Sequence, residues 1–135
     1  MRVQGSAYME VKNTLKKEER IYRKKDIDHL FSGVDSFVVF PFKVVFFSEK
    51  ETDGSVAVLI SVPKKKIRSA AKRNRIKRLM RETYRTGNQG LKQQAKEQKH
   101  LLFVGFIYLD NKIQTYAEMK GRMQKALGIL KERME

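Results

Sequence analysis

A chain of 135 residues suits one domain around one core, and its 30 Lys and Arg against 15 Asp and Glu leave a net charge of +15. Apolar residues at 41% and eight Phe exclude a merely disordered basic tail, and the absence of Cys excludes disulfides and thiolate metal sites. No run approaches the ~20 apolar residues of a membrane span, and Met1 to Arg20 is too polar for a signal segment, so a cytoplasmic protein drawn to polyanions is expected.

Residues 1–13 lack periodicity and read as a frayed lead-in, which leaves residues 14–135 as the single domain. Lys24 to Phe31 reads as a short helix with Ile27, Leu30 and Phe31 on one face and Gly33 as its C′ residue. Ser36 to Phe47, rich in Phe and Val, reads as strand broken near Pro41, which has no N–H to give a ladder. Glu49 to Ser55, with Asp53-Gly54, reads as a turn or hairpin loop. Val56 to Val62 is then a second strand, paired with the one before it and ended by Pro63. A basic helix follows, stopped by Gly87-Asn88-Gln89-Gly90. His100 to Leu109 is almost wholly apolar and reads as a central strand. Thr115 and Glu118 have capping-box spacing and open a helix in which Tyr116, Met119, Met123, Ala126, Leu127 and Leu130 keep helical period. The order helix, strands, helix, strand, helix predicts an α+β fold, a single-sheet two-layer sandwich.

Charge is concentrated. Lys64 to Arg85 holds eleven basic residues and one acid, a net +10, whereas the remainder holds nineteen basic and fourteen acidic residues, a net +5. At 100° per residue, Ile76, Leu79, Met80 and Thr83 fall within one arc of about 100°. Asn74, Arg78, Arg81 and Arg85 form a row on the opposite side, with Lys77 flanking it. Ahead of the helix, Lys64, Lys65, Lys66 and Arg68 form a basic loop leading out of a strand. A merely solvated face mixes signs so that neighbours four apart attract, but here Arg81 and Arg85 are like charges at that spacing. The planar guanidinium fork grips phosphate bidentately and stacks on bases, so the pattern points to nucleic acid.

No constellation for catalysis by the protein itself stands out. Asp26 and Asp28 lie two apart on a helix and point to different sides, Asp110 stands alone after a strand, and Glu82 sits among arginines. His29 and His100 have no partner at ligand spacing. Surface, ion-pair or capping roles are the expectation for each, with no catalytic residue and no protein-held metal. A freestanding nuclease would lack ligands, whereas a structural RNA-binding module would need only the basic helix.

The run Lys64-Lys65, then Arg73-Asn74-Arg75-Ile76-Lys77-Arg78-Leu79, Arg81-Glu82 and Tyr84-Arg85, resembles the signature of the bacterial ribonuclease P protein subunit. Arg20-Ile21, the Ile27 to Gly33 helix, the Phe42 to Phe46 strand and the strand from His100 agree with it. The resemblance implies a ribosomal-protein-type domain with a left-handed βαβ crossover, where general rules favour the right-handed hand. It also implies a partner, the catalytic ribonuclease P RNA, gripped by the basic loop and by Arg73, Asn74, Arg75, Lys77, Arg78, Arg81 and Arg85. The activity implied is removal of the 5′ leader of precursor tRNA, with Mg2+ held mainly by the RNA, no organic cofactor and no membrane partner. It further implies that the leader lies in a cleft between the first helix and the sheet. The cleft positions align with Ile27, Phe31 and Val45, beside Lys43, and only Phe31 is aromatic. Base stacking worth ~1–3 kcal/mol cannot come from Ile27 or Val45, which leaves leader contact weaker, or shifted to Tyr22, Lys43 or Phe47.

Overall fold

The computed structural model describes Ile21 and residues 23–32, 34–50 and 53–134. The expected lead-in, Tyr22 and Gly33 lie outside these residues. The elements run α1 (Lys24–Leu30), β1 (Asp35–Val39), β2 (Phe42–Lys50), β3 (Ser55–Ser61), α2 (Ala70–Gly87), α3 (Gln89–Gln98), β4 (His100–Tyr108) and α4 (Tyr116–Arg133). They build an α+β fold on one four-stranded sheet.

The strand expected over Ser36 to Phe47 is divided by a two-residue loop at Phe40-Pro41 into an antiparallel hairpin, with Val39 opposite Phe42. Sheet order is β1-β2-β4-β3, so β3 does not pair with β2 as its sequence proximity suggested. β4 lies between them, antiparallel to β2 and parallel to β3, with Val104 opposite both Phe46 and Val58. The physical reason is burial: His100–Tyr108 is apolar on both faces and is best covered in the centre, while α2 and α3 supply the crossover a parallel pair requires. Gly54 helps to send the chain elsewhere. It adopts φ +44°, and a Cβ there would come within 2.3 Å of the Ala95 carbonyl oxygen, so only glycine fits beneath the end of α3.

Alternate residues of β2 serve two cores. Phe42, Val44 and Phe46 join Val56, Val58, Leu102, Val104, Phe106 and Tyr108 beneath α2, α3 and α4. Val45 faces the other way with Ala57 and Phe103, beneath Leu30 of α1 and Ile21. The Ile21 N–H also donates to the Val58 carbonyl at 2.9 Å. Gly105 allows α1 to seat. A Cβ there would lie 2.9 Å from Val45 Cγ2 and 3.6 Å from Leu30 Cδ1.

α4 opens on the expected capping box: Thr115 Oγ1 accepts from the Glu118 N–H at 3.1 Å, and Glu118 Oε1 accepts from the Thr115 N–H at 2.9 Å. Met119, Met123, Ala126, Leu127 and Leu130 are buried as the period predicts, but Tyr116, the first residue of α4, is 40% exposed. Gly87 to Gly90 does not simply stop a helix. Asn88 ends α2 and begins α3, a helix the sequence reading missed. α3 buries only Leu91 and Ala95, one apolar pair four residues apart and no stripe long enough to read, while the half-buried Gln94 and Gln98 donate through Nε2 to the Lys131 and Met134 carbonyls at 3.0 and 2.9 Å.

Candidate nucleic-acid interface

The basic segment is built as a turn followed by a helix. Pro63 ends β3's exit, and its carbonyl accepts from the N–H groups of Lys66 at 3.0 Å and Ile67 at 3.2 Å. Ile67 is buried and anchors the turn, while Lys64, Lys65, Lys66 and Arg68 are exposed around it. Ser69 then caps α2, its Oγ accepting from the Lys72 N–H at 3.2 Å. α2 carries no acid in its first turn, so its positive N-terminal end adds to the side-chain charge.

α2 buries Ile76, Met80, Thr83 and Tyr84, with Leu79 half-buried at the stripe's margin. Tyr84 was absent from the expected stripe. It is fully buried, its ring 5.8 Å from that of Phe106, and its recurrence four residues after Met80 was the available signal. On the opposite side Asn74, Arg75, Arg78 and Arg81 are exposed, and Lys77 is half-buried. The two ends of the arginine set are different. Arg73 turns inward, its Nη1 donating to the Ile67 carbonyl at 3.0 Å and the Arg68 carbonyl at 2.8 Å. Arg85 donates to Glu82 Oε1 at 2.6 Å, and this hydrogen bond raises the guanidinium's pKa against a smaller opposing effect of burial.

The expected leader-cleft residues lie on the other face of the sheet, around α1. Phe31, at the C-terminal end of α1, is 50% exposed, so it does not pack beneath the helix. Ile27 is half-buried and Lys43 is exposed, in the strand row that also holds Val38 and Ile107. Val45 is only 5% exposed and belongs to the core under Leu30. Nearby, Phe47 stacks on Phe103 with centroids 4.5 Å apart and receives the His29 ring edge-on at 4.3 Å. His29, for which a surface, ion-pair or capping role is the expectation from sequence, thus completes an aromatic run that begins in the core.

Among the described residues no three of His, Cys, Asp and Glu come together as a group able to hold a metal ion. Glu82 is taken by Arg85, and Asp110 accepts from the Lys112 N–H at 3.2 Å and from Gln114 Nε2 at 3.3 Å. Among these residues, too, no helix is long and apolar enough to cross a membrane.

Residues 15–130 match the family model described as Ribonuclease P. The chain is 34% identical, over 114 residues, to a protein of Porphyromonas gingivalis named ribonuclease P protein component, covering 84% of this chain and 83% of that one. A protein of the same name from Legionella pneumophila is 34% identical over 73 residues, 54% of this chain and 62% of that one. Among solved structures, a Staphylococcus aureus RNase P protein mutant, described as defective in mRNA degradation activity, superposes with TM-score 0.66 at 26% identity, covering 85% of this chain and 90% of that one. A second structure of the Staphylococcus aureus RNase P protein gives TM-score 0.63 at 22% identity over 84% and 96%, a likeness of fold.

Proposed function

The chain belongs to the ribonuclease P protein family, and from that membership, with its role in tRNA 5′ processing, we propose that it binds the catalytic ribonuclease P RNA through the outer face of α2 and the Lys64–Arg68 turn. The observation that carries this reading is the geometry of α2: one side is locked into the core by Ile76, Met80 and Tyr84, so Asn74, Arg75 and Arg78 are held outward on a rigid element. Each guanidinium placed against a phosphate releases condensed counterions, which makes affinity strongly salt-dependent. Binding of this kind orients an RNA without reading its sequence.

The cutting of the phosphodiester is assigned to the RNA partner, with the protein inactive alone. Magnesium, which the family implies, does not fit the donors of this chain, because among the described residues the carboxylates are scattered and the two nearest the basic segment and β4 are already hydrogen-bonded. It is read as a ligand of the RNA. The leader of precursor tRNA is placed on the α1 face of the sheet, where Phe31 offers a half-exposed ring and Lys43 a charge. Val45, being core, contributes shape only.

Reconstitution tests the reading. The purified protein, mixed with a bacterial ribonuclease P RNA at low magnesium, should restore cleavage of precursor tRNA at the mature 5′ end, and the protein without RNA should cut nothing. Binding to the RNA without stimulating cleavage would instead favour a structural module of ribosomal type. Cleavage by the protein alone, surviving purification and lost on mutating Asp110 or Glu82, would overturn the assignment of the chemistry to RNA.

A further inference from the structure

Arg73 is surrounded by like charge: Arg68, Lys72 and Lys77 precede and follow it, and Lys64, Lys65 and Lys66 form the adjoining turn. Repulsion alone should drive its guanidinium outward into solvent. Its Nη1 nevertheless points back at the turn and donates to two successive carbonyl oxygens, those of Ile67 at 3.0 Å and Arg68 at 2.8 Å. Both bonds have a charged donor, and both end on backbone, so they hold the path of the chain whatever side chains it bears. The turn has few other restraints. Two N–H groups donate to the Pro63 carbonyl and Ile67 is buried, but Lys64, Lys65 and Lys66 repel one another and are exposed.

On the RNA-binding reading above, we propose that Arg73 is a positioning residue, which braces the Lys64–Arg68 turn against the first turn of α2 so that its three lysines face the same polyanion as Arg75 and Arg78. A cationic brace suits this turn. An acidic side chain could tie the lysines by ion pairs but would cancel the charge that the RNA needs, whereas Arg73 binds carbonyls and leaves every lysine ammonium available. Arg73 thus acts through the turn, and its removal affects several contacts at once.

A double-mutant cycle distinguishes a brace from one more phosphate contact. Arg73→Met keeps the aliphatic stem and removes the donors. It should raise the Kd for ribonuclease P RNA about tenfold and flatten the salt dependence by more than the roughly 0.7–0.9 log unit that one phosphate contact supplies. With Lys64→Ala, Lys65→Ala and Lys66→Ala already present, the same Arg73→Met should change Kd by less than about twofold, because the lysines it would position are gone. In the free protein, amide exchange at Lys66 and Ile67 should accelerate while that of α4 stays unchanged, a local effect that global destabilisation does not produce. Should Arg73→Met not fold, Arg73→Lys, which keeps the charge and shortens the reach, should show the same coupling and the same local exchange at smaller size. Additive effects with a slope change of one contact, or unchanged exchange at Lys66 and Ile67, overturn the proposal and leave the RNA-binding reading intact. Wild-type protein without salt-dependent binding overturns that reading itself.

Discussion

Glu82 and Arg85 meet at 2.6 Å across one turn of α2, with each side chain about one-third exposed (32% and 31%). The last arginine of the cationic row is therefore held by a carboxylate of its own helix, while Arg78 is exposed and has no such pair among the described residues. Glu82→Gln should free Arg85, steepen the salt dependence of RNA binding by up to about one log unit and strengthen binding by about 0.5–1 kcal/mol at low salt. Folding stability should change by less than ~0.5 kcal/mol, since a partly exposed pair contributes little. Arg78→Ala should do the opposite, weakening binding at every salt concentration and lowering the slope by about one unit. Salt titrations of RNA affinity on the two variants check both, and equal slopes would remove α2 from the interface.

Phe31 separates a binding role from a packing role. Because the ring is 50% exposed, Phe31→Ala should cost less than ~1 kcal/mol of folding stability, far from the ~3–5 kcal/mol of a core Phe. If its face takes a leader base, the same variant should lose about 1–3 kcal/mol of affinity for precursor tRNA and none for mature tRNA. Thermal melts and two binding isotherms on one variant decide it. Equal loss for both tRNAs would take the leader away from Phe31.

The seat of α1 depends on Gly105. A methyl group there would press on Val45 Cγ2 at 2.9 Å, and Val45 is stiff at χ1 and buried beneath Leu30. Gly105→Ala should destabilise the fold by about 1–3 kcal/mol, the usual cost of overpacking. Adding Val45→Ala should recover part of that loss, giving a favourable coupling in a double-mutant cycle of denaturant melts. Simple additivity would show that the two residues do not compete for the same space.

Burial pushes the Tyr108 hydroxyl up to about 12, above the ordinary value near 10, while its O–H donates to the Lys112 carbonyl. The unfolded chain thus releases this proton at a lower pH than the folded one. The resulting stabilisation is complete below pH ~10 and is lost as pH climbs from about 10 to about 12. Tyr108→Phe should flatten the alkaline limb of stability in that window relative to the wild type, and cost ~0.5–1.5 kcal/mol at neutral pH for the lost hydrogen bond. Denaturant melts across pH 8–12 measure both. An identical alkaline limb would show that Tyr108 ionises as an exposed tyrosine does.

Features carried by a short window of chain were legible in the sequence. Thr115 and Glu118 announced the start of α4, the spacing of Ile76 and Met80 marked the inner stripe of α2, and the apolar run from His100 to Tyr108 marked the central strand. The excess of Lys and Arg between Lys64 and Arg85 located the candidate interface before any fold was known. These signals are local because helix period, capping and charge density are properties of neighbours in the chain.

What depends on distant partners was decided by the tertiary structure. β3 lies parallel to β4 and not beside β2, because the central position goes to the strand with most apolar surface to hide, wherever it stands in sequence. Val45 and Phe46 are both buried because helices cover both faces of the sheet, which erases the alternation that would have told them apart. α3 is a helix whose only buried pair, Leu91 and Ala95, acquires meaning from Gly54 and the core beneath it. The arginines divide in the same way. One composition and one spacing covered Arg73, Arg78 and Arg85, but the nearest acceptor in space differs for each: loop carbonyls for Arg73 and a carboxylate for Arg85, with Arg78 left outward, and only folding brings those acceptors within reach.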